Sequence, residues 1–324
     1  MSLLIALLAA AVAPKPGELR TFRDWTVGCD NGRACQAVAL LPEGGSDGAT
    51  LALSRGPEAG AVPAVWVTLR VEGAQSPEAL VVDGKRFPVV LDRATEELRV
   101  RDGIGVARAL GQAADIAAIG PGNLRIKVSS AGSAAALLYM DEQQRRIGTT
   151  SALVRRGPAA QVPPPPALPV VQLPAVPRKA ARTLSPARVR QLLGRDATVC
   201  DYAQELSIET ARLDARNSLL LASHPCGNGA YNFSSTAFLV DEAGRARPAP
   251  FDVSGQDNLL VNAGWDARER RLSAFSKGRG LGDCGVGQAF AWDGARFRLI
   301  HEEAMGECRG STDYITTWRA EVVR

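Results

Sequence analysis

VWVTLRV, at residues 65–71, is the stretch from which the fold class of this chain follows. Every second residue in it is aliphatic, and a period of two is typical of a half-buried β-strand. The same alternation returns at residues 124–128, and residues 80–91 predict a hairpin with an Asp-Gly turn at its centre. Several short strands separated by turns predict an antiparallel β-sandwich domain over residues 18–156.

Two segments of this first domain are less regular. Residues 103–119 are rich in alanine and predict a short helix, whereas residues 137–140 predict a further strand before a polar turn. The chain as a whole is 46% hydrophobic and 22% charged, which excludes a disordered protein. The sequence therefore predicts a folded, mainly β protein of two domains.

A proline-rich segment at residues 157–183 separates the two predicted domains and holds eight of the 20 prolines. Such a composition predicts that the segment cannot pair into a sheet or continue a helix, and that it forms an extended, semi-rigid spacer. A docking site for a proline-recognising module is the alternative. Residues 155–182 contain five basic residues and no acidic one, so the rest of the chain has a net charge of −1. No basic stripe on a folded face is left to bind nucleic acid.

The second predicted domain, residues 184–324, begins with a helix, because Ser185 suits its N-cap, Pro186 its first turn and Gly194 its end. An internal repeat follows, in which a large apolar residue precedes an aspartate and an apolar strand resumes after it. Aspartate favours turns by accepting hydrogen bonds from backbone N–H groups two residues on. We expect four hairpins, about eight strands, in a meander that closes as a sandwich, barrel or partial propeller. The repeated pairs are Leu213-Asp214, Val240-Asp241, Trp265-Asp266 and Trp292-Asp293.

The N-terminus resembles a secretory leader. Residues 3–12 form an unbroken apolar run, which is shorter than the about 20 residues that a membrane-spanning helix needs. Ala11-Val12-Ala13 fits the small-x-small cleavage pattern, so residues 1–13 are interpreted as a signal peptide. Cleavage after Ala11 is the alternative, and a start codon placed too late would explain why no basic residue precedes the run. The pattern predicts a periplasmic or secreted protein without a transmembrane segment.

The cysteines agree with export, because an even number in an exported chain is typical of disulfides. If pairs stay within domains, Cys29 pairs with Cys35 across an Asn-Gly turn, and three pairings remain for the other four. Among these four, chain order favours pairing Cys200 with Cys226 and Cys284 with Cys308. Spacings typical of zinc ligands are missing, so neither a metal nor another cofactor is predicted. The six are Cys29, Cys35, Cys200, Cys226, Cys284 and Cys308.

The sequence resembles two known families. FRDWTVGC at residues 22–29, with Cys35 close behind, resembles the opening of proteins related to invasion-associated locus B, and residues 124–154 resemble their closing strands more loosely. Nearly the whole chain resembles a family of exported proteobacterial proteins of unknown function. This second resemblance implies an envelope setting and carries no catalytic residues across. Its motifs are residues 25–35, CGNGAYN at 226–232, KGRGLGDCG at 277–285 and CRG at 308–310.

The glycine-rich motif at residues 277–285 is the main candidate binding site. Its backbone N–H groups could surround an anion, with charge added by Lys277 and Arg279 beside Asp283. Arg309 would lie nearby if Cys284 pairs with Cys308, and Tyr231 could stack on a sugar or peptide. A glycine-rich turn pinned by a disulfide is the structural alternative. The sequence thus predicts a non-catalytic envelope protein whose second-domain loops bind a protein, a glycan or a small anion.

A cell-envelope hydrolase is the alternative function. Asp283 and Glu303 could act as paired carboxylates, and His301 could act as a general acid or base because histidine titrates near neutrality. No C-x-x-C thiol motif occurs in the sequence. The sequence therefore favours binding over catalysis, and it does not fix the oligomeric state.

Overall fold

The structure, a computed structural model, describes residues 13–45, 47–71, 73, 75–201, 203–229, 231–253 and 257–324. It consists mainly of antiparallel strands, with three helices among these residues. The predicted mainly β fold is confirmed. The predicted leader lies outside the described residues apart from Ala13.

Ten strands form the sheet of the N-terminal region: β1 (Arg20–Phe22), β2 (Trp25–Cys29), β3 (Cys35–Ala39), β4 (Gly48–Arg55), β5 (Ala64–Arg70), β6 (Ala79–Val82), β7 (Lys85–Asp92), β8 (Glu97–Val100), β9 (Ile116–Gly120) and β10 (Leu124–Val128). Their order across the sheet is β1-β2-β3-β4-β5-β8-β7-β6-β9-β10. The turn at Asp83-Gly84 joins β6 to β7, so the predicted hairpin is confirmed.

Strand β7 lets this sheet fold over on itself. Its first half pairs with β6 and its second half, from Val89 to Asp92, pairs with β8. As a result β10 lies against β4, although the two are far apart in the strand order. Apolar side chains fill the space between the two layers, among them Trp25, Leu51 and Phe87. The sandwich is therefore one continuous sheet in two layers.

Two helices close this core, α1 (Gly103–Leu110) and α2 (Ser133–Gln143). The first lies within the predicted helical segment, the end of which belongs to β9. The strand predicted at residues 137–140 is wrong, because these residues are in the second helix. Three alanines precede them and favour helix, and the buried positions Ala136, Leu137 and Met140 recur at helical spacing.

The proline-rich segment does not behave as a free spacer. Its strand β11 (Val170–Gln172) pairs in parallel with the C-terminal strand β22 (Glu321–Val323). Val171 and Leu173 are buried against Ala291 of the C-terminal region. The prediction that this segment cannot pair into a sheet is wrong, because residues 170–173 contain no proline and have backbone N–H groups to donate.

The C-terminal region begins with helix α3 (Pro186–Leu193), capped by the Ser185 side chain as predicted. Two five-stranded antiparallel sheets follow. They share one apolar core that includes Leu239, Phe290 and Phe297. The first sheet contains β12 (Ile208–Arg212), β13 (Asn217–Ser223), β14 (Ser234–Asp241), β15 (Ala246–Pro248) and β16 (Leu259–Val261). The second contains β17 (Gly264–Asp266), β18 (Arg271–Lys277), β19 (Gly285–Trp292), β20 (Phe297–Met305) and β21 (Ile315–Arg319).

The repeated aspartates do start the four hairpin turns. In each hairpin one carboxylate oxygen accepts hydrogen bonds from two backbone N–H groups two to four residues further on. Asp214 also accepts from the indole N–H of Trp292 at 2.6 Å, which joins the two sheets. The hairpin prediction is confirmed, with more strands than the eight expected.

Three disulfides are present, Cys29–Cys35, Cys200–Cys226 and Cys284–Cys308. The first joins register partners on β2 and β3. The third ties the start of β19 to the segment that follows β20. The pairing matches the one that chain order favours.

The two regions also contact each other directly. Val38 and Leu40 of the N-terminal sheet share a buried apolar cluster with Met305, Ile315 and the Cys284 side chain. The division into domains at residues 18–156 and 184–324 stays a prediction. The cluster shows that the two predicted domains pack against each other and are not connected by the proline-rich segment alone.

Candidate functional site

The glycine-rich motif forms the turn between β18 and β19, and Asp283 holds it in shape. The Asp283 side chain is only 1% exposed and accepts from Arg279 Nε at 2.7 Å and from the Gly310 backbone N–H at 2.8 Å. The hydrogen bond from Arg279 lowers the pKa of Asp283 below its ordinary value, against the opposing effect of burial. Gly282 has a φ of +67°, a conformation that glycine adopts without strain. Asp283 is therefore a structural anchor of the loop.

Tyr231 and Lys277 lie together on the other side of this loop. The Lys277 Nζ lies 5.7 Å from the centroid of the Tyr231 ring, a cation–π distance. The ring is 63% exposed and packs over Gly280, where a Cβ atom would come within 3.0 Å of it. Asn232 joins the two segments, because its side chain donates to the Lys277 carbonyl and accepts from the Lys277 N–H.

Arg309 lies near the loop, but its donors are already used. Its Nε donates to the Leu41 carbonyl at 2.8 Å, Nη1 donates to the Arg23 carbonyl at 3.0 Å, and Nη2 pairs with Asp24. All of these partners belong to the N-terminal region. Arg309 therefore bridges the two regions rather than presenting a free guanidinium to a ligand.

A cleft of about 260 Å³ opens where the loop meets the N-terminal region. Three arginines and one carboxylate are among the side chains around it, and the carboxylate is the paired Asp283. The chain brings Arg279 and Arg309 here, as predicted, whereas Lys277 and Tyr231 are not part of its lining. The lining residues are Pro42, Gly44, Gly45, Arg70, Arg279, Leu281, Asp283, Cys308, Arg309 and Gly310.

Arg70, at the end of β5, is the cleft residue that sequence reasoning missed. Among the described residues its guanidinium has no ion-pair partner, and its buried Nε atom makes no hydrogen bond. Burial raises the pKa of the nearby Asp313, and the positive charge of Arg70 opposes this rise. In the sequence Arg70 is one polar residue of an alternating strand, and no local signal distinguishes it from a solvent-exposed side chain.

The residues of the alternative hydrolase are not gathered around one site. His301 and Glu303 are neighbours on β20, with 3.6 Å between Nε2 and Oε2, and both are partly exposed. Asp283 belongs to the arginine cleft instead, where its carboxylate is occupied. Burial raises the pKa of Tyr314 to about 12, and the charges of Asp283 and Glu303 add to this rise. Asp283 and Glu303 thus both lie near Tyr314, but Asp283 lines the arginine cleft and Glu303 does not.

Within the described residues, no group of three or more His, Cys, Asp or Glu side chains is arranged to hold a metal ion. None of the helices in this part of the chain has both the length and the apolar character needed to cross a membrane.

Comparisons with known proteins agree on the family. The family described as a protein of unknown function, DUF1176, matches residues 19–321. This chain belongs to that family. It is also similar to the uncharacterized protein YpfG of Escherichia coli K12, with 30% identity over 97% of this chain and 96% of that protein. No solved structure matches. The resemblance to the unknown-function family is therefore confirmed.

Proposed function

We propose that this DUF1176 protein binds a small anionic ligand in the cleft between its two regions, without catalysing a reaction on it. The single observation that supports this proposal is the guanidinium of Arg70, which lines the cleft and has no ion-pair partner among the described residues. A guanidinium is planar and always charged, and it presents paired N–H donors that match a carboxylate or a phosphate. An unpaired buried donor is costly unless a ligand or water completes it.

The charges around the cleft favour an anion. Arg279 and Arg309 are paired with Asp283 and Asp24, and the described residues that line the cleft include three arginines against one carboxylate, Asp283. The volume of about 260 Å³ suits a single ring-sized ligand rather than a polymer chain. Carboxylate and phosphate share the required geometry, and the experiment below separates them.

The setting of this function is the cell envelope. Three disulfides are typical of proteins that fold outside the reducing cytosol. The apolar run at residues 3–12 and the likeness of residues 22–35 to invasion-associated locus B proteins support the same setting. We propose a periplasmic or secreted location on these grounds.

Isothermal titration of the full chain with inorganic phosphate and, separately, with glucuronate tests the anion site. We expect saturable binding of at least one probe, and we expect Arg70→Gln to weaken it by about tenfold, which corresponds to about 1.4 kcal/mol. The matched control is Arg86→Gln, an exposed arginine of the same region that does not line the cleft. Equal binding by the wild type and Arg70→Gln, or binding of neither probe, would contradict the proposal.

A further inference from the structure

A second groove lies on the outer face of the C-terminal sheet that contains β17 to β21, away from the arginine cleft. Its volume is about 370 Å³, and Phe275, Ala289, His301 and Glu303 are among the residues that line it. None of the lining residues of the arginine cleft belongs to it. The proposed anion site does not account for this groove.

The strand register explains why the sheet surface is hollow here. Phe275 of β18 pairs with Gly287 of β19, which pairs in turn with Glu303 of β20. In the adjacent row Ala289 is the central residue, and it lies between Ser273 and His301. The central strand thus contributes only small side chains, while both flanking strands contribute larger ones. The flanking strands are about 10 Å apart, so the result is a trough that runs along β19.

Gly287 is required for this shape. A Cβ atom at Gly287 would lie 3.1 Å from Oε1 of Glu303 and 3.4 Å from the ring of Phe275. Both side chains therefore approach the bare backbone of the central strand. The ring of Phe275 is fixed from another side by Tyr314, with 5.3 Å between the ring centroids in an edge-to-face pair. Phe275 is therefore in contact with both the central strand and Tyr314.

Four of the polar side chains around the trough have free hydrogen-bonding capacity, whereas Asn262 and Gln288 are already hydrogen-bonded. Among the described residues, Arg271, Ser273, His301 and Glu303 make no side-chain hydrogen bond, and His301 and Glu303 are 3.6 Å apart, too far for one. These groups include both donors and acceptors. The guanidinium and the carboxylate have opposite charges, so the trough does not favour an anion as the arginine cleft does.

We propose that this trough binds a neutral oligosaccharide that lies along β19. Sugars offer apolar C–H faces that pack on an aromatic ring, and vicinal hydroxyl groups that pair with carboxylate, guanidinium and imidazole groups at once. Phe275 provides the packing surface, and Glu303, His301 and Arg271 provide the hydrogen bonds. Further along β19, Ala291 is buried in a cluster with Val171 and Leu173 of the proline-rich segment.

The test uses the full chain and three uncharged trisaccharides: maltotriose, cellotriose and N,N′,N″-triacetylchitotriose. We expect saturable binding of at least one of them by isothermal titration, and we expect Glu303→Gln with His301→Ala to weaken it by about tenfold. Ala289→Leu should abolish binding, because the added side chain fills the floor of the trough. Circular dichroism before titration shows that each variant is folded.

The matched control is Glu321→Gln, an exposed carboxylate outside the trough, which should bind as the wild type does. Inorganic phosphate should not displace the bound trisaccharide, since the two probes occupy different sites. Failure of all three sugars to bind at millimolar concentration, wild-type binding by Ala289→Leu, or displacement by phosphate would each overturn the proposal. None of these outcomes decides whether phosphate or glucuronate binds the cleft beside Arg70.

Discussion

His224 is a residue of the C-terminal region whose ionisation is opposed by burial. It follows β13, and its Nε2 lies 2.6 Å from the Thr236 hydroxyl oxygen. Burial lowers the pKa of His224 below its ordinary value of 6.5. The folded protein therefore takes up this proton at a lower pH than the unfolded chain does, and protonation favours unfolding.

We expect the free energy of unfolding to decrease as the pH falls below about 6.5, because His224 must then accept a proton that its partly buried site disfavours. Urea denaturation at several pH values between about 7.5 and about 5 measures it. His224→Gln removes the titrating group and keeps a polar partner for Thr236, so its stability should depend less on pH. His301→Gln, which removes the other histidine of the chain, is measured alongside for comparison. A slope that His224→Gln does not change would show that another group is responsible.

At the scale of single elements, the hairpin turns show which parts of the fold are determined by residues that are close together in the sequence. Asp214 and the three other repeated aspartates accept backbone N–H groups within four residues, so the sequence alone was enough to place these turns. Helix α3 was predictable for the same reason, because Ser185 caps it from the adjacent position. The error at residues 137–140 arose because a short apolar run suits both a strand and a buried helix.

Features that depend on distant partners were not predictable from the sequence. Strand β11 pairs with β22, about 150 residues further along the chain, and nothing near Val170 indicates this partner. The importance of Arg70 likewise appears only when the loop around Arg279 lies opposite it. The candidate residues of the loop were thus predictable from glycine, charge and cysteine spacing, whereas the cleft that they help to form was not.

The pairing of the proline-rich segment leads to a prediction about that element. Val171 is 5% exposed, whereas its neighbour Val170 is 60% exposed in the same strand. Val171→Asp should detach β11, because a carboxylate cannot remain unpaired against Ala291. We expect a loss of about 2 kcal/mol in unfolding free energy and faster tryptic cleavage after Arg178 and Lys179.

Val170→Asp is the matched control for this experiment, since it introduces the same charge into the same strand at an exposed position. It should leave both stability and cleavage rate close to the wild type. If the two variants were cleaved equally fast, the packing of Val171 would not be what holds the segment in place.

At the scale of the whole molecule, polar bridges reinforce the apolar cluster between the two regions. Asn31 and Arg319 exchange hydrogen bonds of 2.9 and 2.8 Å between side chain and backbone, and the Arg319 side chain also pairs with Asp30. Trp66 donates to Asp313 at 2.8 Å. These contacts, rather than the length of the proline-rich segment, fix the geometry of the cleft.

The disulfides act at this scale as well. Cys200–Cys226 and Cys284–Cys308 close loops with separations of 26 and 24 residues. By loop entropy each contributes about 3 kcal/mol, a large share of the 5–15 kcal/mol or so that is typical of a whole domain. Since Cys284 is part of the cluster shared with Val38 and Leu40, its disulfide supports the contact between the regions in addition to its own loop.

Arg309 is the residue through which this contact can be tested most directly. Its backbone carbonyl accepts from the Leu41 N–H at 3.0 Å, while its Nε donates to the Leu41 carbonyl. Arg309→Met keeps most of the side-chain volume and removes the side-chain bonds to the Leu41 carbonyl, the Arg23 carbonyl and Asp24, while the backbone bond from the Leu41 N–H remains, so we expect a loss of about 1–3 kcal/mol in unfolding free energy. Amide hydrogen exchange should increase at Leu41 in this variant, because the strand end is no longer held.

The exposed Arg296→Met is the control and should exchange as the wild type does. Unchanged protection of Leu41 in Arg309→Met would mean that the contact at this strand end does not depend on the Arg309 side chain.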